Sequence, residues 1–352
     1  MSIFRRSLHV VSKQVAYLII ILSGLIVLFI GALFWLSSEI EQRQDEISNW
    51  ASEQTGYPVE VGAAGLQLLG FLPKLQLESV YVLDKNNNNT IVSLEHLYIG
   101  LDVLASIQQG EPVLNDVTLI GLELAIERDF SGQVHIKGLD SDSSPAKNED
   151  WLAWIRILNR FQLQLATVDY VDNVSTEFSG KYQLTDAVIN HDSQHWSSRG
   201  NIRLPKNMGQ QLSFDVQADI DALAINKWQW QAMLTRLNLQ QLAQPFLWHD
   251  IAIEQGVADI KLSARGQGEN FESLSSELNL SNTKLVSLRE DSAQEPVTIE
   301  QLKGSFDWQD KGESWQLSGR EIQLYIDGDE WTKTGFTIDK NNDGSWLVAS
   351  NY

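Results

Sequence analysis

The residues in this sequence best suited to chemistry are two runs of acidic and amide side chains and one pair of histidines. "DKNNDGS" opens as a calcium loop does, with Asp339, Asn341 and Asp343 spaced as ligands and Gly344 where such a loop turns. The position that calls for a bidentate glutamate is Ser350. "DKNNNNTIVSLE" spaces Asp84, Asn86, Asn88 and Glu95 correctly but has Asn89 where the glycine belongs. Both runs lie between strand-like stretches rather than helices, so hairpin turns are expected. His191 and His195 are spaced to share a metal on a helix, yet "NHDSQHW" is turn-rich and offers no third ligand. No GxSxG elbow, phosphate-binding loop or cysteine nucleophile occurs, and no carboxylate pair stands out from the general acidity. The expectation is a protein with no catalytic residues, no metal site and no cofactor, and no enzymatic function.

Charge narrows the partners. Among 352 residues, 46 acidic side chains face 26 basic ones, a net charge of −20. Nucleic acid needs a basic surface to displace phosphate counterions, so it is excluded as a partner. With no cysteine there are no disulfides, though this does not fix a compartment.

Such a chain must act through surfaces, and its elements are mostly strands. "QLSFDVQADID" puts Leu212, Phe214, Val216, Ala218 and Ile220 on one side, and Gln211, Ser213, Asp215, Gln217, Asp219 and Asp221 on the other. "ADIKLSARG", "SELNLSNTKL", "GSFDWQ", "WQLSGREIQLYID" and "TGFTID" repeat the style. Gly, Asn and Asp clusters separate them as hairpin turns would. "LQLESVYVLD" reads as a strand with Leu75, Leu77, Tyr81 and Leu83 together. "VTLIGLELAIERD" places Leu122, Leu124 and Ile126 opposite Glu123 and Glu127, with a phase slip at Gly121. Helical spacing is confined to residues 37–57, with Ile40, Ile47 and Trp50 on one face, to "LDVLASIQQG", and to "EDWLAWIRILNRF". Residues 228 to 248 read as apolar and partly helical. The scattered tryptophans read as core fillers or rim residues. The meander is still alternating at Tyr352, which suggests the first part of something longer.

From Val15 to Leu36 the chain carries no charge. A helix of that length reaches about 33 Å, enough to cross a hydrocarbon core of about 30 Å. Arg5, Arg6 and Lys13 precede it and Glu39, Glu41, Asp45 and Glu46 follow. The positive-inside rule therefore puts residues 1–14 in the cytoplasm and the bulk of the chain outside. The apolar core is too long for a cleaved signal peptide and ends in Phe34, Trp35 and Leu36, so an uncleaved anchor is expected.

The order of these parts resembles a known family. An N-terminal anchor leads to a short helix ending in "TGYPVEVG", followed by "LQLESVYVLD", "VTLIGLELAIERDFSGQVHIKGL" and "VTIEQLKGSFDWQDKGESWQLSGREIQL". This resembles the N-terminal region of the YhdP family, within the AsmA-like proteins of Gram-negative bacteria. The resemblance implies an inner-membrane, single-pass protein whose residues 58–352 are periplasmic. It also implies a mainly β fold: a transmembrane helix, then an extended, curved antiparallel β-sheet groove with a few short helices. Its partners would be phospholipid and the inner membrane, with outer-membrane or periplasmic envelope proteins as further candidates. Family members are implicated in moving phospholipid toward the outer membrane.

Alternation alone does not say what covers the apolar face. It fits a groove for lipid, and it fits two sheets packed as a sandwich. On the groove reading the lining residues are Leu212, Phe214, Val216, Ile260, Leu262, Leu278 and Leu280. On the alternative, the chain is a periplasmic scaffold or assembly factor with a closed β-core.

Overall fold

The computed structural model describes residues 43–69, 72–109, 113–139, 158–192, 194–221, 224–242, 251–287, 295–341 and 343–351. The expected tail 1–14, the span from Val15 to Leu36, the start of the 37–57 helix and residues 149–157 of the helix expected over 149–161 lie outside them, while Arg160 and Phe161 of that stretch begin a strand. No helix among the described residues is long and apolar enough to cross a membrane.

The described chain opens with helix α1 (Gln44–Thr55), stopped by Gly56 at φ 69°, a left-handed cap that favours glycine. Its Ile47 and Ala51 pack against Val59, Val61, Ala64 and Leu77 of the first two strands. Trp50, expected on the packed face, is 63% exposed. Ser48 and Ser52, two positions to either side, face β1, and at about 100° per residue this turns position 50 toward the far side of the helix.

Strands follow: β1 (Val59–Leu69), β2 (Leu72–Leu83), β3 (Thr90–Leu101), β4 (Leu114–Ile120), β5 (Glu123–Arg128), β6 (Val134–Ile136), β7 (Arg160–Asp172), β8 (Gly180–His191) and β9 (His195–Arg203). Then come β10 (Gln211–Asp221), β11 (Ala224–Asn238), β12 (Ile251–Gln267), β13 (Asn270–Ser287), β14 (Val297–Asp310), β15 (Trp315–Ile326), β16 (Asp329–Lys340) and β17 (Trp346–Asn351). A short helix α2 (Val103–Gln109) follows β3, and a single helical turn α3 (Leu239–Leu242) follows β11. All seventeen strands belong to one curved sheet. Of residues 228–248, expected to be partly helical, 228–238 belong to strand β11, 239–242 form the helical turn α3, and 243–248 lie outside the described residues. In β11 Trp228, Trp230, Ala232 and Leu234 alternate with Gln229, Gln231 and Met233.

The sheet is mixed, not purely antiparallel. β4 and β5 share one position between β3 and β7, joined end to end at Gly121 (φ 69°). β7 runs parallel to both, after the connection through residues 137–159 carries the chain back. A parallel neighbour requires such a crossover, whereas the other pairs are tight antiparallel ones.

Five residues inside strands have left-handed backbones: Ser79, Leu165, Arg236, Asn282 and Glu321, with φ between 48° and 56°. Arg236, Asn282 and Glu321 lie where the register with a neighbouring strand shifts by one, as at a bulge, whereas the register runs unbroken past Ser79 and Leu165. Leu77 and Val80, and likewise Leu234 and Leu237, are three apart and still pack in one cluster. This corrects the reading of β2. Val80 and Val82 join Leu75 and Leu77 in the packed cluster, while Tyr81 is 39% exposed.

The calcium-like and histidine runs are turns whose carboxylates serve their own backbone. Asp84 Oδ1 accepts the Asn86 N–H at 2.7 Å, and Asp343 Oδ1 accepts the Ser345 N–H at 2.8 Å. Asp192 Oδ1 accepts the N–H groups of Gln194 and His195 at 2.8 and 2.7 Å. Among the described residues no three His, Asp or Glu side chains gather to hold a metal.

Candidate functional site

Cross-strand partners in a sheet point to the same face, so the register assigns faces across the whole sheet. Starting from Val216, the pairs run through Trp230, Ala264, Leu274, Trp308, Leu317 and Ile338 to Val348. In the other direction they run through Ser198, Ile189, Phe161, Val117, Ile99 and Leu75 to Leu66. Every member but Ser198 is apolar. At about 4.8 Å per strand, the fourteen steps make a ribbon about 67 Å long.

A second row lies beside it. From Phe214 it passes Ala232, Leu262, Ser276, Phe306 and Gly319 to Phe336. The other way it passes Gly200, Ala187, Leu163, Leu119, Leu97 and Leu77 to Ala64. The opposite face over the same strands carries Asp215, Gln217, Gln229, Arg265, Lys261, Glu277 and Asp307. Its side chains are tied by contacts such as Lys261 to Glu277 at 3.2 Å.

A sealed sandwich buries its large inward side chains almost completely. Here no large side chain of the Val216 row is buried, and Leu274 and Val348 are 36% and 66% exposed. Among the described residues the largest side chain below 2% exposure is that of Thr283. Among the described residues the main close backbone contacts of each strand are with its sheet neighbours and with the short helices.

Two clusters cover parts of this face. At one end α1 lies over the start of both rows through Ile47 and Ala51. Along one side, Leu204, Met208, Leu237 and Ala258 form a buried cluster with Phe178, Leu239 and Leu242 around it. Tyr182 belongs to its margin and donates to the Phe178 carbonyl at 2.7 Å. Burial first, then Tyr170 and Asp172 nearby, push its hydroxyl above the ordinary 10.0.

All seven sequence-predicted lining residues share one face. Leu212, Ile260 and Leu280 pack against the side cluster, so that edge is covered. Phe214, Val216 and Leu262 lie in the two rows outside it, and Leu278 stands beside Ile260 in register. Sequence reasoning missed the part of the rows formed by Leu97, Leu119 and Leu163 in the first half of the sheet. The signal was present, since each sits in an alternating run, but only the parallel β4–β7 register connects them.

A family model described as YhdP protein matches residues 1–352. The chain belongs to the YhdP family. None of the curated proteins and none of the solved structures matches it.

Proposed function

We propose that this chain conducts phospholipid along the apolar face of its sheet, anchored in the inner membrane by Val15 to Leu36 and reaching toward the outer membrane through the periplasm. The observation that carries the reading is the apolar ribbon of the Val216 row, interrupted only by Ser198 over fifteen strands and with its large side chains left part-open.

The energetics favour such a device. Exposing the roughly thirty methylenes of a two-chain lipid to water costs on the order of 24 kcal/mol. A continuous apolar strip removes most of that cost at every point along the path. No bond is made or broken, so the proposal needs no catalytic residue, metal or cofactor. Head groups stay at the open side in water while acyl chains lie on the rows. The covered side cluster serves as one wall and α1 closes one end.

The test is photocrosslinking in membranes that contain the full chain. A photoreactive residue at position 214 or 216 is expected to capture phospholipid, and one at 215 or 217 is not. Equal labelling of the two sets would sink the conduit and favour a scaffold whose apolar rows serve only packing.

A further inference from the structure

Three bulky rings on the apolar face lean over glycines of the neighbouring strand. Phe214 pairs with Gly200, and a Cβ placed on Gly200 would lie 2.8 Å from the Phe214 Cζ and 2.9 Å from its Cε1. Phe336 pairs with Gly319, where a Cβ would meet its ring Cδ1 at 2.9 Å. Trp228 pairs with Gly266, where a Cβ would first meet the Asn270 carbonyl oxygen and then the Trp228 ring, its Cε2 at 2.7 Å. Real Cβ atoms do not approach so closely, so in each pair the ring occupies space that only glycine leaves free. Trp228 is pinned in this pose: its Nε1–H donates to the Gly268 carbonyl at 3.0 Å, and its ring meets Phe271 edge-on at 4.8 Å.

Glycine inside a strand costs stability, because it adds backbone entropy and packs nothing. Its presence opposite three separate rings therefore calls for a compensating role. Side chains in a strand ordinarily stand away from the sheet. A phenylalanine standing upright in the Phe214 row would project into the space where the conduit reading puts an acyl chain.

Resting on that reading, we infer that Gly200, Gly266 and Gly319 set the clearance of the conduit by letting Phe214, Trp228 and Phe336 lie down as its floor. The rings then offer flat apolar area to an acyl chain without narrowing the path. Gly319 is flanked from its other side by Phe306, whose ring centroid is 6.3 Å from that of Phe336, so the two rings form one tilted pair over it. These glycines are positioning residues: they touch no lipid and act through the rings.

The full chain, in membranes doped with a phosphatidylglycerol carrying a photoreactive acyl chain, provides the test. Gly200→Val and Gly319→Val are expected to lower crosslinking about tenfold, as overpacking of a filled site does. Adding Phe214→Ala to Gly200→Val is expected to restore it. In the unmodified chain, the Hα resonances of Gly200 and Gly319 are expected upfield, under the ring currents of Phe214 and Phe336. Unshifted resonances would overturn the floor geometry whatever lipid does. Wild-type capture of lipid with equal capture by both valine variants would overturn the clearance role and leave the conduit standing. A wild-type chain that captures no lipid would overturn both.

Discussion

Lys74 reaches across β3 to form an ion pair with Asp116, passing over Gly100, on the face opposite the apolar rows. Both side chains are largely buried, at 17% and 10% exposure. A Cβ on Gly100 would fall inside the Asp116 carboxylate. Removing one partner of a buried pair costs about 3–5 kcal/mol, because the other charge is left unpaired in a poor solvent. Lys74→Met is expected to lose that much in denaturant unfolding of the full chain. Gly100→Ala is expected to lose a comparable amount, although alanine is otherwise no worse than glycine in a strand. A Gly100→Ala chain as stable as wild type would show that the bridge does not need the gap.

The free edge of β1 is capped by side chains of α1. Ser52 Oγ accepts the Val59 N–H at 2.8 Å, Ser48 Oγ accepts the Val61 N–H at 3.2 Å, and Gln44 Nε2 donates to the Val61 carbonyl. Four residues of helix rise about 6 Å and two of strand about 6.8 Å, so the two ladders stay in step. An uncapped edge invites pairing with another chain. Replacing Ser48 and Ser52 together by Val is expected to cost about 1–3 kcal/mol and to raise self-association, read by unfolding and by sedimentation. Unchanged association would mean that packing through Ile47 and Ala51 suffices.

Asp172 lies at the end of β7 with only 2% of its surface exposed. Burial works against its ionisation. The N–H groups of Ser175 and Val174, the Tyr170 hydroxyl and Arg128 outweigh it, and together hold the carboxyl below its ordinary 3.8. A carboxyl depressed in the fold contributes stability that is present above the ordinary value. That stability is lost as pH falls through the folded-state value. Unfolding between pH 7 and pH 2 is therefore expected to show an acid limb beginning near pH 4. Asp172→Asn should flatten it and also lower stability at neutral pH. An unaltered limb in the variant would place the acid sensitivity elsewhere.

Leu165 holds a left-handed backbone at φ 53° with its side chain 61% exposed. The side chain gains little there and the backbone pays a steric cost of about 1–2 kcal/mol. Leu165→Gly is expected to raise stability by up to about 1 kcal/mol, against the usual penalty for glycine in a strand. A loss of more than about 0.5 kcal/mol in chemical unfolding would show that Leu165 packs against something that matters.

Placing a charge on the ribbon separates its two faces by function. Leu262→Asp sets an unpaired carboxylate where acyl chains would lie and is expected to cut lipid capture by about tenfold or more. Ser263→Asp, one residue on and on the opposite face, is expected to stay within about twofold on the same argument. Equal loss in both would point to a general folding defect rather than a blocked path.

Local pattern carried much of the fold to the surface of the sequence. The alternation of residues 211 to 221 and the turns at Asp84 and Asp343 are as their residue types dictate, whereas Gly121, read as a bulge, has a left-handed backbone with no shift of register across it. The misreadings came where one local signal resembled another. A left-handed Ser79 moved the phase of β2 without a glycine to announce it. In residues 228 to 238 tryptophans alternating with glutamines make a strand, and the helical part of the 228–248 stretch that is described is the single turn Leu239–Leu242. The seven candidate lining residues were readable as one face, but not the division among them, because Leu204, Met208 and Leu239 come to Leu212 and Ile260 from turns and from neighbouring strands.

By itself the sequence determined that strands predominate and that each has an oily and a wet side. Those properties arise from residues two apart, whose side chains share a face whatever else the chain does. Only the tertiary structure decided that Leu119 continues the line of Leu163 in parallel, that the oily sides join into a single ribbon, and that the large side chains of that ribbon stay part-open. Pairing and cover involve partners far along the chain, and no local period encodes which distant strand will arrive or what will be laid on top.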